Sequence, residues 1–286
     1  MTDAARDAEI YRTAARLNLD DPLLLDGGSL LQFPDYGQLV MTGDLHGHRR
    51  NFEKLKKFCD LERFLPRHVI VHEIVHEEVA TLDGADRSHE VLLETARWKC
   101  DHPEQVHFLL GNHELAQIKQ HEITKNGRVV TADFERAVRA RYGGEADAVL
   151  EAMYAFIASM PLAGRTPNRV FLSHSLPGPR DLPKFDPTVF SRRPTEQDLA
   201  DEGSAHMLIW GRYHTEETLA QLREMLDVDF FLCGHQPQET GYDVLHDCMI
   251  ILASDHNHGV FLTLDLSKPV TLERLTQHIY PFAGVA

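Results

Sequence analysis

The stretch Met41-Thr42-Gly43-Asp44-Leu45-His46-Gly47-His48-Arg49 decides how the rest of the chain is read. The apolar run Leu39-Val40-Met41 leads into it, and a carboxylate and an imidazole follow two residues apart. Beyond Gly47 the apolar positions Phe52, Leu55, Cys59 and Leu61 recur at helical spacing, with Lys54, Lys56 and Lys57 left for solvent. A strand therefore hands over to a helix. In an open α/β sheet ligands gather beyond the carboxyl ends of strands, so Asp44 and His46 stand where two metal-competent side chains can converge. Alone, an Asp-x-His pair is as compatible with a surface turn as with a site, and the remaining sequence has to decide.

The same handover recurs. Residues 68–75 form a β-branched run that predicts a buried parallel strand, and the helical stretch 89–100 leads to a strand over 106–110 ending in Gly111-Asn112-His113-Glu114. The strand 169–173 ends in Ser173-His174-Ser175, and Phe230 to Cys233 run into Gly234-His235-Gln236-Pro237. Two last strands, 249–253 and 260–266, flank a loop holding His256 and His258. Helical spacing marks residues 3–17, 131–160 and 215–226, the last with Thr215 as N-cap. Residues 20–37 read as a loop, and 178–203 as a long irregular segment of the kind that is more often functional than accidental. The alternation predicts a layered α/β fold. We expect a helical extension over residues 1–20, then one domain over 21–286 with a helical insertion around 131–160.

Composition narrows the function. Lys and Arg number 29 against 44 Asp and Glu, a formal charge of −15, which disfavours a nucleic-acid groove or an anionic membrane as partner. An anionic substrate would need local positive charge, which bound divalent cations can supply. The four cysteines, Cys59, Cys100, Cys233 and Cys248, form no Cys-x-x-Cys pair and are expected to be reduced and mostly buried. With no apolar signal core at the N-terminus and no run of roughly 20 apolar residues, a cytoplasmic protein is expected.

Collected at strand ends are Asp44 with His46, Glu73, Asn112 with His113, His174 and His235, clusters separated by dozens of residues and able to meet only through the fold. Carboxylates, imidazoles and one amide suit Mn, Fe or Zn held as a pair better than Mg or Ca alone. Two metals roughly 3.5 to 4 Å apart can lower the pKa of a shared water and clamp the oxygens of an in-line displacement at phosphorus. Gly43-Asp44-x-His46-Gly47, Gly111-Asn112-His113-Glu114, the strand ending in His174 and the strand ending in Gly234-His235 resemble, in order, the motifs of the calcineurin-like metallophosphoesterases. The likeness covers roughly residues 38 to 265. The phosphoprotein phosphatase (serine/threonine phosphatase-like) branch fits best, on Ser88 through Glu114 with Lys99 and Pro103, on Arg193-Pro194-Thr195 ahead of Leu208-Ile209-Trp210, and on Gly-His-Gln-Pro as last motif.

The resemblance implies a four-layer α/β/β/α metallophosphoesterase sandwich with two central mixed sheets and a phosphorylated substrate, a phosphoprotein or a small phosphoester. It implies a first metal on Asp44 and His46, a second on Asn112, His174 and His235, a bridging carboxylate between them, and His113 as the general acid. Arg212, just after Trp210-Gly211, is the expected phosphate clamp. The departure is at the second motif, which in the family reads Gly-Asp-x-x-Asp-Arg-Gly and here reads His72-Glu73-Ile74-Val75-His76-Glu77-Glu78. Glu73 then replaces the bridging Asp, His76 stands where an Asp orients the general acid, and Glu77 where an Arg grips phosphate. The other candidate bridge is Asp83, in Asp83-Gly84-Ala85-Asp86-Arg87, and His72, His76, Asp86, Arg87 and His258 are further residues that could reach the site. Competing readings are a dinucleoside polyphosphate hydrolase and, because of the altered motif, a catalytically weakened metal-binding scaffold.

Overall fold

The computed structural model describes residues 2–77, 85–125 and 127–285. Two sheets dominate. The first runs in the order β13 (Ile279–Pro281), β12 (Val260–Asp265), β2 (Gln38–Asp44), β3 (Arg67–His72), β4 (Val106–Leu109), with β2, β3 and β4 parallel. The second runs β1 (Leu30–Gln32), β7 (Ala163–Arg165), β8 (Val170–Ser173), β9 (Phe230–Cys233), β11 (Met249–Leu252), β10 (Tyr242–Leu245), with β8, β9 and β11 parallel. A small hairpin, β5 (Thr124–Lys125) and β6 (Arg128–Val129), stands apart from both.

Side-chain alternation along the strands explains the layering. Leu39 and Met41, Ile70, Leu109, Val170 and Leu172, Leu232, Ile250 and Leu252 belong to one buried cluster, and so fill the space between the sheets. Their neighbours Val40, Val69 and Val71, Phe108, Phe171, Phe231, Met249 and Ile251 belong to the other, packed under helices. Both faces of each parallel strand are therefore covered, as unbroken apolar runs require. The helices are α1 (Asp3–Leu19), α2 (Arg49–Cys59), α3 (Ser88–Asp101), α4 (Asn112–Lys119), α5 (Val130–Tyr142), α6 (Ala146–Ala158), α7 (Ser204–Trp210), α8 (Glu216–Leu226) and α9 (Leu272–Gln277). α1 lies against α6 and α3, with Tyr11 fully buried 5.8 Å from the Phe156 ring. The result is the four-layer α/β/β/α sandwich that the motif order implies.

Several boundaries differ from the sequence expectations. The strand expected over 68–75 ends at His72, because Glu73 takes a left-handed φ of 47° and turns the chain. The helical stretch 131–160 is two helices, parted at Gly143-Gly144-Glu145. The loop 20–37 contains strand β1, and β10, α9, β13 and the β5–β6 hairpin carry no counterpart in the sequence reading. Thr215 does cap α8, its hydroxyl accepting the Thr218 N–H. None of the four cysteines is disulfide-bonded, and all but half-buried Cys100 are buried. No described helix is long and apolar enough to cross a membrane.

Candidate metal centre

The parallel strands of both sheets end at one rim, and there the loops turn sharply. His46, Glu73, His76 and His235 all have positive φ, between 41° and 70°. Non-glycine residues seldom adopt this region, and they gather where a chain must present particular groups. The turns are tied together: Glu73 O accepts the Leu45 and His46 amides at 2.9 and 2.8 Å, and the His235 amide donates to both Asp44 oxygens at 2.9 and 2.8 Å. Glycines leave room for these contacts, since a Cβ on Gly234 would collide with Asp44 Oδ1 and one on Gly111 with Glu73 Oε2.

The structure brings Asp44, His46, Glu73, Asn112, His113, His174 and His235 together, all buried. Donor atoms cluster in two groups, each within 4.8 Å: Asp44 with His72 and His174, and His46 with Glu73 and His113. This division differs from the expected one, in which Asp44 and His46 share the first metal. Asn112 Oδ1 lies 2.9 Å from His174 Nε2 and 2.8 Å from His235 Nδ1, and Glu73 Oε2 lies 3.5 Å from His174 Nε2, so one carboxylate spans both groups. His72 was not among the residues expected with the main ligand set. It is fully buried, 3.4 Å from Asp44 Oδ1, and neither ring nitrogen has a hydrogen-bond partner.

Electrostatics indicate which protonation states the cage favours. Burial, and then the charges of Glu114 and Asp44, push the Glu73 carboxyl well above its usual range. Burial lowers His46 to about 3 and His235 to about 4, and moves His174 and His113 well below the ordinary imidazole value. Asp44 moves the other way: burial opposes it, but the surrounding imidazoles, His72 foremost, keep it ionised below the usual range. Neutral imidazoles beside the ionised Asp44 are the protonation states that metal ligation needs, whereas Glu73, held toward its protonated form, would have to give up a proton to bind a cation. The buried atoms His72 Nε2, His174 Nδ1 and His235 Nε2, all without a hydrogen-bond partner, fit a set of donors for cations.

Around the cage the remaining candidates separate. His76 Nδ1 lies 2.8 Å from His113 Nδ1, and His76 Nε2 lies 2.7 Å from Gln117 Oε1. Glu114 accepts the Ile74 and Val75 amides and so holds the turn after β3. Glu77 accepts the Arg87 amide, and Asp86 accepts the Ser88 amide and hydroxyl, so neither acid belongs to the two donor groups. Exposed Arg212 reaches the His235 carbonyl at 3.5 Å, His258 is exposed, and Arg192 pairs with Asp198. Asp83 lies outside the described residues. Lys125, on the β5–β6 hairpin, places Nζ 3.4 Å from His46 Nε2, a contact the sequence reading missed although Asn126-Gly127 is a hairpin signal.

Against known proteins, the family model described as calcineurin-like phosphoesterase matches residues 38–239. No curated protein matches the sequence. A protein serine/threonine phosphatase from Saccharomyces cerevisiae with similarity to human phosphatase PP5 superposes with a TM-score of 0.68 over 93% of this chain and 84% of its own, at 17% identity. A cold-active protein-tyrosine phosphatase of the psychrophile Shewanella sp. does so at 0.60, over 94% and 82%, at 15% identity. At such identities the likeness is one of fold.

Proposed function

The chain belongs to the calcineurin-like phosphoesterase family, and from that premise we propose that it is a dinuclear metal-dependent phosphoester hydrolase, a phosphomonoesterase resembling serine/threonine phosphatases. The observation that carries this is the convergence of the two buried donor groups from the ends of strands in both sheets. Asp44, His46, Glu73, Asn112, His174 and His235 would hold two ions of the Mn, Fe or Zn class in this reading, Glu73 being the carboxylate whose oxygens reach both donor groups. Such ions supply positive charge to phosphoryl oxygens and lower the pKa of a water that attacks phosphorus.

The chain's own groups complete the reaction. Gln117 Nε2 points at the Tyr154 hydroxyl at 3.3 Å, so its oxygen faces His76 and accepts the proton on His76 Nε2. His76 Nδ1 then accepts from His113 Nδ1–H, which leaves His113 Nε2 directed at the site, 3.8 Å from Glu73 Oε1. With Nδ1–H given to His76, neutral His113 carries a lone pair at Nε2, so in this reading it takes up a proton there as the anionic phosphoester approaches and passes it to the leaving oxygen as the ester P–O bond breaks, with His76 in the orienting part that an Asp plays in the family. Arg212 holds phosphoryl oxygens from the exposed side.

The test is hydrolysis of a chromogenic phosphomonoester with added Mn. His113→Ala is expected to lose about 10² to 10⁴ in kcat, the usual worth of a positioned proton donor, and Asp44→Asn to lose metal as well as rate. Near wild-type rates from either variant would sink the assignment. Product analysis on diadenosine tetraphosphate against a phosphopeptide separates the monoesterase from a dinucleoside polyphosphate hydrolase. Tight metal retention without turnover on any phosphoester would favour a binding scaffold.

A further inference from the structure

In the motif alignment through Glu73, Glu77 stands where the family grips phosphate with an Arg, and its Oε2 accepts the Arg87 amide at 3.0 Å. Positive charge reaches the cage from elsewhere. The β5–β6 hairpin carries half-buried Lys125, and its ammonium lies 3.4 Å from His46 Nε2. His46 Nδ1 contacts the Val75 carbonyl at 3.0 Å and must be the donor there, so Nε2 turns its lone pair to the ammonium. Lys125 also lies within electrostatic reach of Glu73, Asp255 and Asp44, and of the Arg212 guanidinium. Arg212, on the loop after α7, reaches the His235 carbonyl at 3.5 Å, so each cation touches a residue of the cage, one from the hairpin and one from that loop.

We propose that Lys125 binds the phosphoryl oxygens of the substrate together with Arg212, in place of the cation missing at position 77. A lysine suits the place because its compact ammonium sits on a flexible stem with three donors. It can leave the His46 lone pair when a metal takes that nitrogen, and still reach an oxygen on the same side of the cage. This rests on the phosphoester-hydrolase reading and adds to it a residue that the family motifs do not contain.

The test uses the full chain loaded with Mn, with Lys125→Gln and Lys125→Arg, and inorganic phosphate as the probe in calorimetry alongside p-nitrophenyl phosphate kinetics. Losing a charge-assisted hydrogen bond to an anion is expected to raise the phosphate Kd and the KM by about tenfold or more in Lys125→Gln. Lys125→Arg should stay within about threefold of wild type, and Mn content should be equal in all three. Phosphate affinity unchanged in Lys125→Gln overturns the proposal, as does a variant that binds more Mn with the same phosphate affinity, because the ammonium would then be only a stand-in for the cation. Weakened phosphate binding in a protein that hydrolyses no phosphoester would uphold Lys125 and defeat the hydrolase reading instead.

Discussion

Asp21 illustrates how single side chains far from the metal centre hold this fold. It is buried, accepts from Lys99 Nζ at 2.8 Å, and lies 2.9 Å from His107 Nδ1, while Lys99, fully buried, also donates to the Pro103 carbonyl. Burial opposes ionisation, but the His107 hydrogen bond and the Lys99 charge outweigh it and hold the carboxyl well below its usual range. The stability gained is complete above the unfolded value, about 3.9, and is lost as pH falls toward the folded one. Asp21→Asn is expected to cost about 3 to 5 kcal/mol near neutral pH by stranding a buried cation. In urea titrations the gap from wild type should narrow below about pH 4, and a gap constant down to pH 2.5 would contradict the account. Sequence pattern flagged Lys99 only through a resemblance, since nothing in a linear pattern pairs it with a residue 78 positions away. His72 escaped the main ligand set for a similar reason: it sits inside an apolar strand, and only the pairing of β3 with β2 shows that it faces Asp44.

Among the elements, the strand ends do the positioning. β4 hands over to α4 at Gly111, where a Cβ would strike the Glu73 carboxylate and crowd Glu114 Oε2 at 2.7 Å. Gly111→Ala is expected to cost about 1 to 3 kcal/mol through overpacking and to displace Glu73, so that the purified variant retains less Mn on dialysis than wild type. Equal retention would show that Glu73 does not hold metal. Strand and helix identities were legible wherever a period ran long enough, as in β2 followed by α2. They failed where backbone geometry overrode the pattern: Ile74 and Val75 are β-branched, yet Glu73 has already turned the chain out of the sheet to give its carbonyl to Leu45 and His46. Strands such as β1, at three residues, are too short to show a period at all.

For the whole molecule, the cage links the two sheets, because Asp44 and His72 end strands of one, Glu73, Asn112 and His113 follow strands of that sheet, and His174 and His235 follow strands of the other. Cations bound there would stabilise the packed sandwich against the unfolded chain by mass action, about 2.7 kcal/mol at a hundredfold excess over Kd. Chelation should therefore lower Tm, added Mn should restore it, and Asp44→Asn should be insensitive to both; a Tm indifferent to Mn in wild type would count against the metal centre. Between the sheets, fully buried Leu172 packs into the shared core, and Leu172→Ala is expected to cost about 2 to 5 kcal/mol in denaturant unfolding. The sequence alone determined the layered architecture and the roster of chemical groups, because hydrophobic periodicity and strand-end motifs are local properties of the chain. Only the tertiary structure decided which donors share a group, that His72 faces Asp44, and that Lys125 stands beside His46. Those contacts depend on two sheets and a hairpin converging at one rim, and that convergence is set by packing between residues far apart in the chain.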